Sequence, residues 1–221
     1  MERDSRMCKI KGVIFDMDNT ILRSRIDFEG MKQETFNFLV TRGILPRELE
    51  LTNHTTSTII KEATKSTRMT EEVLHDLWEI PKRFEIEGMK GAELEAGVTD
   101  TLDELKGRCR LSIVTNNSNQ AAETALKDNN ILDYFDYIVG RETMGVLKPA
   151  PDGYNMILEK YNDISIREWI SVGDSWIDGM ASSAAGITFI SYQGDVEKMN
   201  KMGVVPYATI TAFSELLLIA R

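Results

Sequence analysis

At 221 residues, 42% of them apolar and 28% charged, the chain is long enough to bury a sizeable core and too apolar to stay disordered. A formal net charge of −9 excludes a broad nucleic-acid or anionic-membrane surface, though not a phosphate ligand held in a cleft by a local cation. Two cysteines, Cys8 and Cys109, are too few for a disulfide framework or a cysteine zinc site and read as unpaired thiols.

The chain opens on "MERDSRMCKIKG", which mixes charges and lacks the apolar stretch of a signal peptide. No run approaches the roughly 18 apolar residues of a membrane span. A cytoplasmic protein is the expectation. The first strand is "KGVIFDMD", where the apolar run Val13, Ile14 and Phe15 gives way to Asp16 and Asp18. Residues two apart on a strand point the same way, so these carboxylates project together with Thr20 just beyond. Two carboxylates that close repel, and a cation or a proton is expected between them. Read alone, the pair has an ordinary alternative, since aspartates also begin turns and cap helices.

The stretch from about residue 23 to 95 has no good buried strand and is far too long for a plain loop. Phe28, Met31, Phe38 and Leu39 form one helical stripe, Val73, Leu77, Ile80 and Phe84 another, with Pro46 and Pro81 as punctuation. The expected division is a core of residues 1–22 and 95–221 and a helical domain of residues 23–94 inserted after the first strand.

Beyond the insertion, strands and helices alternate. "RLSIVTNN", "DYIVGR", "EWISVGDS", "GITFISY" and "YATITAF" read as strands, and "NQAAETALKDN", "DGYNMILEKY" and "WIDGMASSAAG" as helices. This alternation predicts an α/β fold, a Rossmann-like, mostly parallel sheet with helices on both faces. Ligands of such sheets bind beyond the carboxyl ends of the strands. Three further polar clusters stand at strand ends or in the following loops. In "SIVTNN", Thr115 ends the strand and Asn116 and Asn117 follow; the hydroxyl and an amide there could donate to an anionic oxygen, or else form a turn leading to a helix cap. In "GVLKPAPDGY", Lys148 lies in a backbone restrained by the following proline, a point charge for phosphate or an ordinary surface lysine. In "WISVGDSWIDGM", Asp174 ends the strand and Asp178 follows one helical turn later. Oxygen ligands of this kind suit magnesium; the alternative is a helix cap and a solvated acid.

Taken together and in this order, DMDNT, VTNN, LKPAP and GDSWID resemble the motifs of the haloacid dehalogenase-like phosphohydrolases, over essentially the whole chain. Asn19 departs from the family's usual glycine, and asparagine tolerates tight backbone shapes. The resemblance implies Asp16 as nucleophile through an aspartyl-phosphate, and Asp18 as the acid and then the base. It implies Thr115 and Lys148, with Asn116, as holders of the phosphoryl oxygens. It also implies Mg²⁺ bound by Asp16, Asp174 and the backbone carbonyl of Asp18, with Asp178 orienting that set. The insertion would be a helical cap, a lid over a small phosphorylated metabolite such as phosphoglycolate or a sugar phosphate.

Arg23, Arg42, Asn53, His54 and Lys61 are candidates to read that substrate, or plain surface groups. Nucleic acid and membrane are not expected as partners, and the oligomeric state is not readable. A β-phosphoglucomutase-like mutase is the alternative, disfavoured because no histidine lies between Asp18 and His54. A receiver-like phospho-aspartate signalling module is disfavoured by the chain's length and by its insertion.

Overall fold

In the computed structural model the described residues are 9–220. Cys8 lies outside them; Cys109 is buried and free, its Sγ donating to the Ile10 carbonyl at 3.4 Å. Among the described residues, no helix is long and apolar enough to cross a membrane.

The chain divides into two compact units, residues 1–23 with 93–221, and residues 24–92. In the first, β1 (Gly12–Phe15) runs parallel between β4 (Arg110–Val114) and β6 (Trp169–Gly173). Outside these lie β5 (Tyr137–Val139) beside β4, and β7 (Thr188–Tyr192) then β8 (Ala208–Ile210) beyond β6. The order β5-β4-β1-β6-β7-β8 is parallel throughout. A strand covered on both faces must be apolar on both, and every residue of β1 is buried.

Ile14 faces a core shared with α6 (Asp152–Lys160) and α7 (Trp176–Ala184), through Tyr154, Ile157 and Ala181, together with Trp169 of β6. Phe15 points the other way, stacked on Phe213 of α9 (Phe213–Ile219), which packs on α4 (Val98–Leu105). Helices therefore cover both faces, as the alternation of strand and helix predicts. Gly12 has a specific reason to be glycine: a Cβ there would lie 2.2 Å from the buried Trp169 ring. After Leu132–Tyr134 and Arg141–Thr143, both 3-10 turns, and α5 (Asn119–Asp128), the remaining helix of this unit is α8 (Val196–Lys201). A third such turn covers Ile166–Glu168.

The strand order reverses at β1. The chain first builds outward through β4 and β5, then returns to the other side of β1 for β6, β7 and β8. The carboxyl end of β1 is thus the topological switch point, where open α/β sheets form a crevice.

The second unit holds α1 (Phe28–Thr41), α2 (Thr56–Ala63) and α3 (Glu71–Met89) around Phe36, Leu39, Ile59, Ile60, Leu77 and Ile80. Two sequence expectations need correction here. Phe28 is exposed, and Phe36 is more deeply buried than Phe38, whose ring carries the Arg42 guanidinium 3.6 Å from its centroid. Pro81 does not end a helix: α3 continues through it, with Leu77, Ile80 and Pro81 all buried. A proline forfeits one helical hydrogen bond, a cost that apolar burial on both sides of it offsets here.

A two-residue antiparallel ribbon, β2 (Leu22–Arg23) with β3 (Glu93–Leu94), lies in the first unit next to the unit boundary.

Candidate active site

Asp16 directly follows β1 and its N–H donates to the Val172 carbonyl at 2.8 Å, so its backbone still belongs to the sheet. Since Phe15 is paired with Ile113 and with Val172, Asp16 stands level with Val114 and Gly173. Thr115 and Asp174 come one residue later on the two flanking strands. Parallel register alone therefore gathers Asp16, Thr115 and Asp174 at one edge. The chain turns at once beyond Asp16: the N–H groups of Ile21 and Leu22 both donate to the Met17 carbonyl, and Asn19 adopts φ +54°. That left-handed backbone explains why asparagine serves at a position where glycine would also fit.

Lys148 is 1% exposed and its ammonium is fully engaged with the sheet edge. Nζ donates to Asp16 Oδ1 at 2.5 Å, to Asp178 Oδ1 at 2.7 Å and to the Val114 carbonyl at 2.9 Å. Burial opposes its charge, yet Asp16 and Asp178 together hold its pKa well above the ordinary lysine value. Asp178, also 1% exposed, lies in the first turn of α7, and its Oδ2 accepts from the Ser175 N–H at 3.0 Å. The approach of α7 to β6 needs Gly173, where a Cβ would come within 2.7 Å of the Asp178 side chain.

Among the described residues, Asp16, Asp174 and Asp178 form a group whose carboxylate oxygens lie within 4.8 Å of one another. The Asp16 carboxyl is pushed up to about 7, chiefly by burial, which Lys148 opposes and Asp178 and Asp18 reinforce. Burial likewise raises Asp174 well above the usual carboxylate range, with Asp16 and Asp178 adding to it. Lys148 alone thus does not keep Asp16 in the ordinary carboxylate range. Three gathered hard oxygen donors, two of them with raised carboxyls, fit a divalent cation such as Mg²⁺, which would relieve the repulsion between them. Both oxygens of Asp178 accept hydrogen bonds, from Lys148 and from the Ser175 N–H, and both oxygens of Asp16 do as well, from Lys148 and Thr20.

Asp18 is half-buried, and its carboxylate is not in the three-acid group. Its Oδ2 accepts from Asn117 Nδ2 at 2.7 Å. Thr20 Oγ1 faces Asp16 Oδ2 at 3.4 Å. Thr115 is buried and its Oγ1 accepts from the Asn117 N–H at 3.2 Å, which leaves the hydroxyl proton to donate.

Asn116 differs from expectation. Its side-chain oxygen accepts the Lys148 N–H at 2.9 Å, and its Nδ2 donates to the Lys148 carbonyl at 3.0 Å. The side-chain amide thus grips the Lys148 backbone at both its N–H and its carbonyl, so Asn116 holds Lys148 in place; one Nδ2 hydrogen remains for a further acceptor. A side-chain amide matches a peptide group donor for acceptor, which is why asparagine serves. Sequence reasoning gave Asn117 no role of its own; its only signal was the second asparagine of "VTNN".

The groups named as substrate readers have mostly local partners. Arg23 makes two 3.2 Å contacts with Glu95, Arg42 lies on Phe38, and His54 Nδ1 is 3.2 Å from Thr58 Oγ1. Asn53 and Lys61 are exposed.

Residues 13–192 match the family profile described as haloacid dehalogenase-like hydrolase. A phosphoglycolate phosphatase of Photobacterium profundum is 27% identical over 222 residues, covering 94% of each chain. Among solved structures, a HAD-superfamily hydrolase of subfamily IA from Geobacter sulfurreducens superposes with a TM-score of 0.63 at 24% identity, covering 98% of this chain and 99% of that one. A predicted phosphoglycolate phosphatase from Haemophilus somnus gives 0.68 at 18% identity, covering 98% and 100%.

Proposed function

The chain belongs to the haloacid dehalogenase-like hydrolases, and we propose that it is a Mg²⁺-dependent phosphatase of a small phosphomonoester, with a phosphoglycolate-like compound as its substrate. The observation that carries this reading is the convergence of Lys148 and three carboxylates at the end of β1, at 2.5 Å from Asp16, 2.7 Å from Asp178 and within 4.8 Å for the acids.

Hydrolysis of a phosphate monoester must be accelerated by up to about 10²¹-fold, on the order of 29 kcal/mol. One general acid contributes only about 10²–10⁴ of that. A nucleophile, charge clamps and a proton carrier must therefore act together.

An Asp16 oxygen attacks phosphorus while the bond to the ester oxygen breaks, giving an aspartyl-phosphate. The carboxyl proton of Asp18 passes to the departing oxygen, so the product leaves as an alcohol. Asp18, now a carboxylate, takes a proton from a water whose oxygen attacks the same phosphorus. The phosphorus–Asp16 bond breaks, inorganic phosphate leaves, and Asp18 is again protonated.

Lys148 neutralises phosphoryl charge next to the nucleophile, and the Thr115 hydroxyl donates to a phosphoryl oxygen. A bound Mg²⁺, held by Asp16, Asp174 and the backbone carbonyl of Asp18 with Asp178 supporting, would supply further charge stabilisation and keep Asp16 ionised. We assign residues 23–94 the role of the substrate-selecting cap.

A phosphate-release screen over small phosphomonoesters, with Mg²⁺ and with chelator, tests the reading. Wild type is expected to release phosphate only with Mg²⁺, and Asp16→Asn to release none. Near-normal turnover by Asp16→Asn would remove the nucleophile assignment.

A further inference from the structure

We propose that Asn117 is the positioning residue for Asp18: its side-chain amide fixes the orientation of the carboxyl that delivers the proton to the leaving group. The proposal rests on the functional reading above, in which Asp18 is the proton carrier.

Asn117 is 4% exposed and follows the end of β4, while Asp18 belongs to the turn after β1, 99 residues away. Nδ2 donates to Asp18 Oδ2 at 2.7 Å, a short, charge-assisted distance for such a pair when the carboxylate is ionised. The backbone on either side of this amide is itself fixed. The Asn117 N–H donates to Thr115 Oγ1 at 3.2 Å, and its carbonyl accepts the Arg141 N–H at 2.8 Å. A buried side chain tied at both backbone groups has little freedom to swing.

The consequence for proton transfer follows from donor–acceptor arithmetic. The amide NH₂ has donors only, so the Asp18 oxygen facing it accepts, and the carbonyl-type oxygen is the better acceptor for that contact. The contact therefore favours the transferable proton on the other oxygen, Oδ1, in every step that begins with Asp18 protonated. The carboxyl is held in one rotamer as well, which matters because a general acid acts only within hydrogen-bond reach of its target. Misplacement by about 1 Å costs on the order of a hundredfold in rate.

A structural tie between two loops would make the same contact, so the test must separate the two roles. An alkoxide needs a proton to leave and a nitrophenolate does not. Impaired proton delivery therefore penalises alkyl esters selectively, whereas general damage to the site penalises all esters alike. Asn117→Ala removes the donor; Asn117→Leu keeps the approximate size and both backbone bonds and also removes it. For each variant, kcat/KM is measured with Mg²⁺ on 2-phosphoglycolate, glycerol 2-phosphate and p-nitrophenyl phosphate in a single preparation. The ratio between substrates is independent of the fraction of protein that is folded.

The expected result is a loss of about tenfold or more on the alkyl esters and less than about threefold on the aryl ester. Equal losses on all three, or none on any, would overturn the positioning role while leaving the phosphatase reading intact. A wild-type enzyme that hydrolyses neither alkyl ester would instead overturn the phosphatase reading, and the proposal with it.

Discussion

Lys148 stands between Asp16 and Asp178, and removing its charge strands both carboxylates in a buried site. Breaking a buried ion pair from one side costs roughly 3–5 kcal/mol. The Asp16 carboxyl is already raised to about 7 with Lys148 present, so without it protonation becomes still more favourable. A carboxyl raised in the folded state favours folding at low pH and loses that contribution as pH rises through its folded value. Lys148→Met should therefore cost less stability near pH 5 than near pH 8, where the cost should reach about 3–5 kcal/mol, measured by urea unfolding of metal-free protein at both. A cost that is the same at both pH values would argue against a buried, charge-compensated site. Single residues of this kind were legible in the sequence because carboxylates, a hydroxyl and a lysine recur at strand ends. The two asparagines were not. Whether an amide grips a backbone 32 residues away or a carboxylate 99 residues away depends on side-chain directions that local spacing does not encode.

Elements were readable wherever hydrophobic periodicity runs long enough. β4, β6 and β7 are five-residue runs that end close to where their apolar stretches end. The ribbon of β2 and β3 is two residues per strand, too short to carry any period, and it went unread. α3 misled for a different reason: a proline weighs heavily in local propensity, but Leu77, Ile80 and Pro81 are buried together and packing prevails. The far end of α3 allows a clean test of packing against propensity. Gly88 would gain roughly 1 kcal/mol of helix propensity as alanine. Its Cβ, however, would lie 2.5 Å from the Ile26 Cα and 2.6 Å from the Ile26 nitrogen, and the neighbouring Arg25 N–H donates to the Gly88 carbonyl at 2.9 Å. Backbone cannot rotate aside as a side-chain tip can, and overpacking costs about 1–3 kcal/mol. Gly88→Ala should therefore lower the urea midpoint; a higher midpoint would mean that the 25–26 segment yields.

Stability of the whole chain is coupled to the acid cluster, because folding is what gathers Asp16, Asp174 and Asp178 within 4.8 Å. An unfolded chain has no such group and no reason to bind a divalent ion tightly. Without a cation, Asp16 moves from an ordinary 3.8 to about 7 on folding. Between those values the folded state keeps a proton that the unfolded state has lost, so this group makes stability fall as pH rises from about 4 to 7. Mg²⁺ binds the ionised form and acts in the opposite direction. A ligand at a hundred times its dissociation constant stabilises by about 2.7 kcal/mol. For a chain of this size that corresponds to about 5–10 °C in Tm. The rise in Tm on adding Mg²⁺ should accordingly be several degrees near pH 7.5 and shrink towards pH 5, where protons compete for the same oxygens. Chelator should reverse it, and Asp174→Asn should blunt it at every pH. Calorimetric scans with and without Mg²⁺ at the two pH values measure this directly. A Tm indifferent to Mg²⁺, or one that responds more at pH 5, would mean that the three acids gather for some purpose other than holding a cation.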